Sequence, residues 1–173
     1  MIYIIIGGTN SGKSSLTKNV FIKNKDIIVR KDIVTISETN DCILIGDYNR
    51  KNRRVGTDTI ARADIKKMGD QVEALINTNK DIVLEGMRCV SRPLFNKLLS
   101  LNVDITLVWM ECSPETSFKR ANEYNGKEND GVKYTFCKRE YTACKNIFNE
   151  YVDKMHTILI NTEDTKDFTK LSL

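Results

Sequence analysis

Gly7-Gly8-Thr9-Asn10-Ser11-Gly12-Lys13-Ser14 lies between an apolar run, Ile2 to Ile6, and a segment from Ser15 to Lys23 that sets Leu16, Val20 and Phe21 at helical spacing. The run Ile-Tyr-Ile-Ile-Ile has the β-branched and aromatic content of a buried strand. Strand, glycine-rich turn, Gly-Lys-Ser and helix, in that order, are the context that a G-x-x-x-x-G-K-S phosphate-binding loop requires. Glycines let the backbone curl so that successive N–H groups point at phosphate oxygens. The helix begins at the same place, and its partly positive N-terminus favours an anion. The expected cradle for ATP runs from Gly7 through Ser15. Within it Lys13 would reach the β- and γ-phosphates, and the Ser14 hydroxyl would help hold Mg²⁺.

At 173 residues the chain is expected to form one domain, 1–173. No apolar run approaches the ~20 residues of a membrane span. The apolar start is short and leads straight into the loop, so no signal peptide is expected. Cys42, Cys89, Cys112, Cys137 and Cys144 are odd in number and scattered, and His156 is the single histidine. Neither a disulfide framework nor a zinc site is expected, and a reducing cytoplasmic setting fits, that of a host cell if the protein is viral. The net charge of +4 does not by itself imply a nucleic-acid partner.

Its distribution says more. Ile27 to Val29 read as a short buried strand that delivers Arg30-Lys31-Asp32 at its carboxyl end, where ligands collect in open α/β sheets. Asp32 is therefore a candidate base on the acceptor side. Cys42 to Ile45 read as a strand opening into a long basic loop. From Tyr48 to Met68 there are seven Lys/Arg (50, 51, 53, 54, 62, 66 and 67) against Asp58 and Asp64, a local excess of +5. A solvated face carries such charge too. Arg50, Arg53 and Arg54, with Tyr48, are also what phosphate contact and base stacking use. A helix capped by Asp58 or Thr59 is expected next, with Ile65, Met68, Val72, Leu75 and Ile76 inward. Asp81 to Glu85 is an apolar strand closing on an acid, so Glu85 would orient Mg²⁺ or accept a proton. Arg88 in the following loop would hold an anionic group.

Ser91 with Pro93, and Ser113 with Pro114 and Glu115, mark two further helix starts. Between the second of these helices and a long amphipathic one from Thr135, residues 122–134 are polar, with two glycines, as a mobile lid would be. Thr157 to Ile160 read as a last strand and Asp164 to Leu171 as a short terminal helix. Alternating strands and helices predict an α/β fold, a five-stranded, mainly parallel sheet with helices on both faces.

The phosphate loop, the strand ending in Glu85, Ser113-Pro114-Glu115 followed by Arg120, and the polar segment before Arg139 resemble the nucleotide-kinase branch of P-loop proteins over nearly the whole chain. That resemblance implies an ATP- and Mg²⁺-dependent phosphotransferase, with Arg120 and Arg139 as lid arginines. Arg30-Lys31-Asp32 is similar to the Arg-Asp segment of polynucleotide 5′-hydroxyl kinases, where the aspartate is the base. Gly46-Asp47-Tyr48 followed by Gly56-Thr57-Asp58 resembles phage kinases that phosphorylate 5-hydroxymethyluracil within DNA, where these residues lie on the acceptor side. Asp32, Asp47, Asp58 and Glu85 all stay open as the base. A deoxynucleoside monophosphate kinase is the rival within this class, and a DNA-binding ATPase or switch subunit the rival outside it.

Overall fold

The structure is a computed structural model and describes residues 1–49, 55–125, 132–165, 167 and 173. One sheet holds β1 (Ile2–Ile6), β2 (Ile28–Lys31), β3 (Thr35–Glu38), β4 (Cys42–Ile45), β5 (Asp81–Glu85), β6 (Ile105–Glu111) and β7 (His156–Asn161), in the spatial order β2-β3-β4-β5-β1-β6-β7. From β4 to β7 every pairing is parallel, whereas β2 and β3 form an antiparallel hairpin added beside β4. The helices are α1 (Lys13–Thr17), continued as a π-helical turn over Lys18–Ile22, α2 (Met68–Leu75), α3 (Arg92–Leu99), α4 (Pro114–Asn125) and α5 (Tyr134–Tyr151).

The pleat of β1 sorts the helices. Ile2, Ile4 and Ile6 pack into a core with Met68 and Val72 of α2, Phe95 and Leu98 of α3, and Ile147 and Tyr151 of α5. Ile5 packs on the other side with Leu16 of α1, Phe21, Leu44, Val83 and Val108. Both faces of the parallel strands are covered, which is why β1, β4, β5 and β6 read as near-continuous apolar runs. Ser113 caps α4 by accepting the Thr116 N–H at 3.2 Å.

The sheet has seven strands rather than the five expected. The Thr-Ile-Ser-Glu of β3 alternates in polarity and offers no apolar run to detect. Ile27 to Val29, expected to be buried, belong to an exposed edge, with Ile28 at 67%. The helix expected from Asp58 or Thr59 is also different. Two 3₁₀ turns, Gly56–Thr59 and Arg62–Lys67, precede α2. Between them Ile60 is extended (φ −67°, ψ 134°) and turns its side chain into the core, which breaks helical continuity. At the expected lid, α4 runs on through Asn125 and α5 starts at Tyr134, so residues 122–125 are helical. Residues 126–131, and 166 and 168–172 of the expected terminal helix, lie outside the described residues.

The segment 46–56 is pinned at its two ends. Gly46 and Gly56 have φ of +112° and +64°, and a Cβ on Gly46 would lie 1.9 Å from the Gly56 carbonyl oxygen. Both the conformation and the close approach exclude a side chain there. Gly46→Ala is therefore expected to lose about 2 kcal/mol or more of unfolding free energy. Urea denaturation measures this, and a loss below about 0.5 kcal/mol, typical of a neutral surface change, would contradict it.

Candidate active site

Parallel pairing of β1 with β5 sets Ile5 level with Glu85. The phosphate loop therefore leaves β1 beside the carboxylate that ends β5. Lys13 is buried and donates from Nζ to the Gly8 carbonyl at 2.8 Å. The Ser14 hydroxyl donates to Glu85 Oε1 at 3.1 Å. Two oxygens at that spacing can occupy neighbouring corners of an octahedral Mg²⁺ shell, whose ligands sit at ~2.1 Å from the metal. Ser14 and Glu85 thus stand where both oxygens could reach one such ion. Among the described residues no cluster of three or more His, Cys, Asp or Glu could hold a metal by itself, so other ligands would have to come from nucleotide and water.

Glu85 is only 2% exposed, and its second oxygen accepts the Tyr48 hydroxyl at 2.9 Å. Burial pushes its carboxyl above the usual range, while the Lys13 ammonium and the Tyr48 and Ser14 hydroxyls pull the other way. Burial, then the Glu85 charge, pushes the Tyr48 hydroxyl well up, so it stays a donor. Tyr48 is not the exposed stacking surface expected from its place in the basic loop. It is 4% exposed and belongs to the apolar cluster that includes Leu16, Val55 and Val83. A phenol can do this because its apolar body packs while its single hydroxyl finds one partner.

The two short segments around Tyr48 and Asp58 form one wall of the site. Asp47 N–H donates to Thr59 Oγ1 at 2.9 Å, and Asp47 Oδ1 accepts the Asn49 N–H at 2.9 Å in a local turn. The Thr57 hydroxyl donates to the Glu85 carbonyl at 2.9 Å. Gly86, at φ +132°, leaves room for this wall, since a Cβ there would meet Thr57 Oγ1 at 2.6 Å and Asp58 Cγ at 3.0 Å. Asp58 is half-buried, and its Oδ1 accepts the Arg88 N–H at 3.3 Å. The structure therefore brings together Lys13, Ser14, Tyr48, Asp58, Glu85 and the backbone of Arg88.

Other expected residues stand elsewhere. Asp32 lies in the hairpin at the sheet edge, four strands from β1 and on the order of 19 Å across the sheet. There it contacts Arg30 at 3.3 Å and accepts from Gln71 at 3.1 Å. The edge hairpin carries it away from the phosphate loop, so it is not beside Glu85. Arg120 does not point freely into a lid. Its guanidinium donates to the carbonyls of Thr162, Glu163 and Thr165 and, at 3.4 Å, of Asn10. Several carbonyls at the end of β7 outcompete open solvent for its fork of donors. Arg139 is exposed and lies over the Phe136 ring, 5.2 Å from its centroid. Arg50, Arg53 and Arg54 lie outside the described residues.

One site residue was missed. Glu140 of α5 is buried and accepts the Thr9 N–H at 2.7 Å. The signal was present: Glu140 falls on the inward stripe between Cys137 and Cys144, where an acid needs a partner.

No family model matches the chain, and no curated protein does. Among solved structures the chain is similar to deoxyadenosine kinase from M. mycoides, described with products dCMP and a flexible dCDP bound. The TM-score is 0.51 at 10% identity, over 94% of this chain and 90% of that one. The likeness shows the fold: this chain has the α/β architecture of that kinase.

The raised Glu85 carboxyl makes a stability prediction. Its folded value lies above the ordinary 4.5, so the folded chain holds the proton more tightly than the unfolded chain. The stability this proton contributes is fully present below 4.5 and is lost as pH rises through the folded value. Glu85→Gln lacks that loss. Its melting temperature relative to wild type is expected to rise from about pH 4 to about pH 8. A gap that stays flat across that range would show that Glu85 is not held against ionisation.

Proposed function

We propose that this chain is an ATP- and Mg²⁺-dependent kinase that transfers the γ-phosphoryl group to a hydroxyl of a nucleoside unit. The observation that carries this is the juxtaposition of Lys13, Ser14 and Glu85 at the carboxyl ends of β1 and β5, with Asp58 in the adjoining wall. Lys13 draws charge from the β- and γ-phosphates. Ser14 and Glu85 hold Mg²⁺, which supplies charge neutralisation on the phosphates when bound. Tyr48 fixes the Glu85 carboxylate from behind. Asp58, half-buried and next to Gly86, is the base that takes the acceptor proton. A phosphate acceptor would need no base and would be repelled by these acids, which disfavours the monophosphate-kinase reading. The 5′-hydroxyl kinase reading depended on Asp32, which stands at the far edge.

Two acceptors fit a hydroxyl-directed site. A 5-hydroxymethyl group on DNA is favoured by the pairing of Gly46-Asp47-Tyr48 with Gly56-Thr57-Asp58 in one wall, and by the basic segment that follows. A free deoxynucleoside is what the similar M. mycoides protein is named for. Labelled ATP offered to deoxynucleosides, mononucleotides and 5-hydroxymethyluracil oligonucleotides separates them. The DNA reading expects kcat/KM to rise with length and fall with salt, at a log–log slope of about −0.9 per phosphate contact on duplex. A nucleoside phosphorylated as well as a twenty-mer would replace DNA by the free acceptor. Lys13→Ala and Asp58→Asn are each expected to lower kcat by about a hundredfold or more with any acceptor. Near-normal turnover by Lys13→Ala would end the kinase reading, and by Asp58→Asn would remove that base.

A further inference from the structure

Glu85 and Glu140 are the two buried carboxylates among the described residues. The first has two hydroxyl partners, whereas the second sits on the phosphate loop itself. Glu140 reaches across from α5, 131 positions along the chain, and its Oε2 takes the Thr9 N–H at 2.7 Å, the short distance of a charge-assisted bond. A Cβ on Gly8 would lie 3.9 Å from that same oxygen, so the carboxylate covers the Gly8-Thr9 turn. The position along the loop is set by Lys13. Its ammonium rests on the Gly8 carbonyl, and a lysine of this motif reaches the β- and γ-phosphates. The N–H groups that cradle the α- and β-phosphates follow toward α1. Thr9 therefore offers its N–H at the γ end, and an anionic side chain already occupies it.

We propose that Glu140 sets the balance of triphosphate against diphosphate affinity: in the nucleotide-free chain its carboxylate holds the N–H that the γ-phosphate of ATP meets, so ATP must displace it and ADP need not. The proposal rests on the phosphate-loop reading given above. Like charges forced together cost free energy, so Glu140 opposes a triphosphate more than a diphosphate. After transfer the γ position is empty again and the carboxylate returns to Thr9.

The displacement has a built-in reporter. Tyr141, next to Glu140 on α5, donates its hydroxyl to Glu111 Oε1 at 3.0 Å. Its ring centroid lies 5.8 Å from that of Trp109, the single tryptophan of the chain. A shift of this part of α5 when Glu140 leaves Thr9 would change the surroundings of one fluorophore. The experiment titrates wild type and Glu140→Gln with Mg²⁺ and either a non-hydrolysable ATP analogue or ADP. Trp109 emission and calorimetric affinity are both read. In wild type the analogue is expected to change the emission and ADP to leave it unchanged. Glu140→Gln keeps an accepting oxygen and loses the charge, so it is expected to bind the analogue roughly tenfold more tightly and ADP within about twofold of wild type. An analogue affinity left unchanged by Glu140→Gln would overturn the proposal. So would a variant that weakens both alike, because that is the mark of a prop for the loop. If wild type binds neither nucleotide, the phosphate-loop reading itself falls and the proposal with it.

Discussion

A carboxylate taken out of water must be hydrogen-bonded or it neutralises. Glu85 meets that condition with the Ser14 hydroxyl on one oxygen and the Tyr48 hydroxyl on the other, and much of the site is arranged to keep it so. Tyr48 can reach it only because Gly46 and Gly56 let the two ends of their segment touch. A Cβ on Gly56 would stand 2.6 Å from Glu85 Oε2, so the second glycine is required twice. Thr57 then secures the Glu85 carbonyl, and Gly86 admits the Asp58 side chain. Three positive-φ glycines and one tyrosine are gathered about a single acid, and together they place Asp58 beside Gly86, the residue that follows Glu85.

The two sides of the loop are built differently. Toward β5 the partners are hydroxyls and carboxylates. Toward β6 and β7 the partners are backbone carbonyls gathered by Arg120 and side chains of α4 and α5. Arg120 joins α4 to the end of β7 and to Asn10 of the loop, while the Ser117 hydroxyl donates to the Thr9 carbonyl and Glu140 takes the Thr9 N–H. Thr9 is thus held on its N–H and its carbonyl by two different helices. A change in either helix alters the geometry of the glycine-rich loop without touching Lys13 or Ser14.

The phosphate loop and the strands flanking it were legible because their signals are local. A glycine pattern, a lysine and an uninterrupted apolar run all lie within a few residues of one another, as at Ile2 to Ser14. Glu85 was legible for the same reason, as the acid ending a buried strand. What failed were inferences in which exposure had to be guessed. Tyr48 sits among charged residues in sequence, yet in space it belongs to an apolar cluster with Leu16, Val55 and Val83. Asp32 follows a strand toward the correct end of the sheet, but the lateral position of that strand is decided by the β3 hairpin, whose polar alternation left it undetected. Arg120 was placed on the correct helix, and its carbonyl partners come from a segment more than forty residues later. Glu140 needed both a helical register and a pairing across 131 residues, and only the register was readable.

All five cysteines are buried, and they are spread across the molecule: Cys42 on β4, Cys89 after β5, Cys112 at the end of β6, and Cys137 and Cys144 on α5. Burial is the first cause that raises Cys42, Cys89, Cys112 and Cys144, with Cys144 at about 11, so little thiolate is present even where a reagent could reach. Alkylation therefore waits for each element to open. The chain carries its own set of five local clocks, and mass spectrometry of the labelled peptides times the opening of the turn after β5 at Cys89 separately from that of α5 at Cys137 and Cys144.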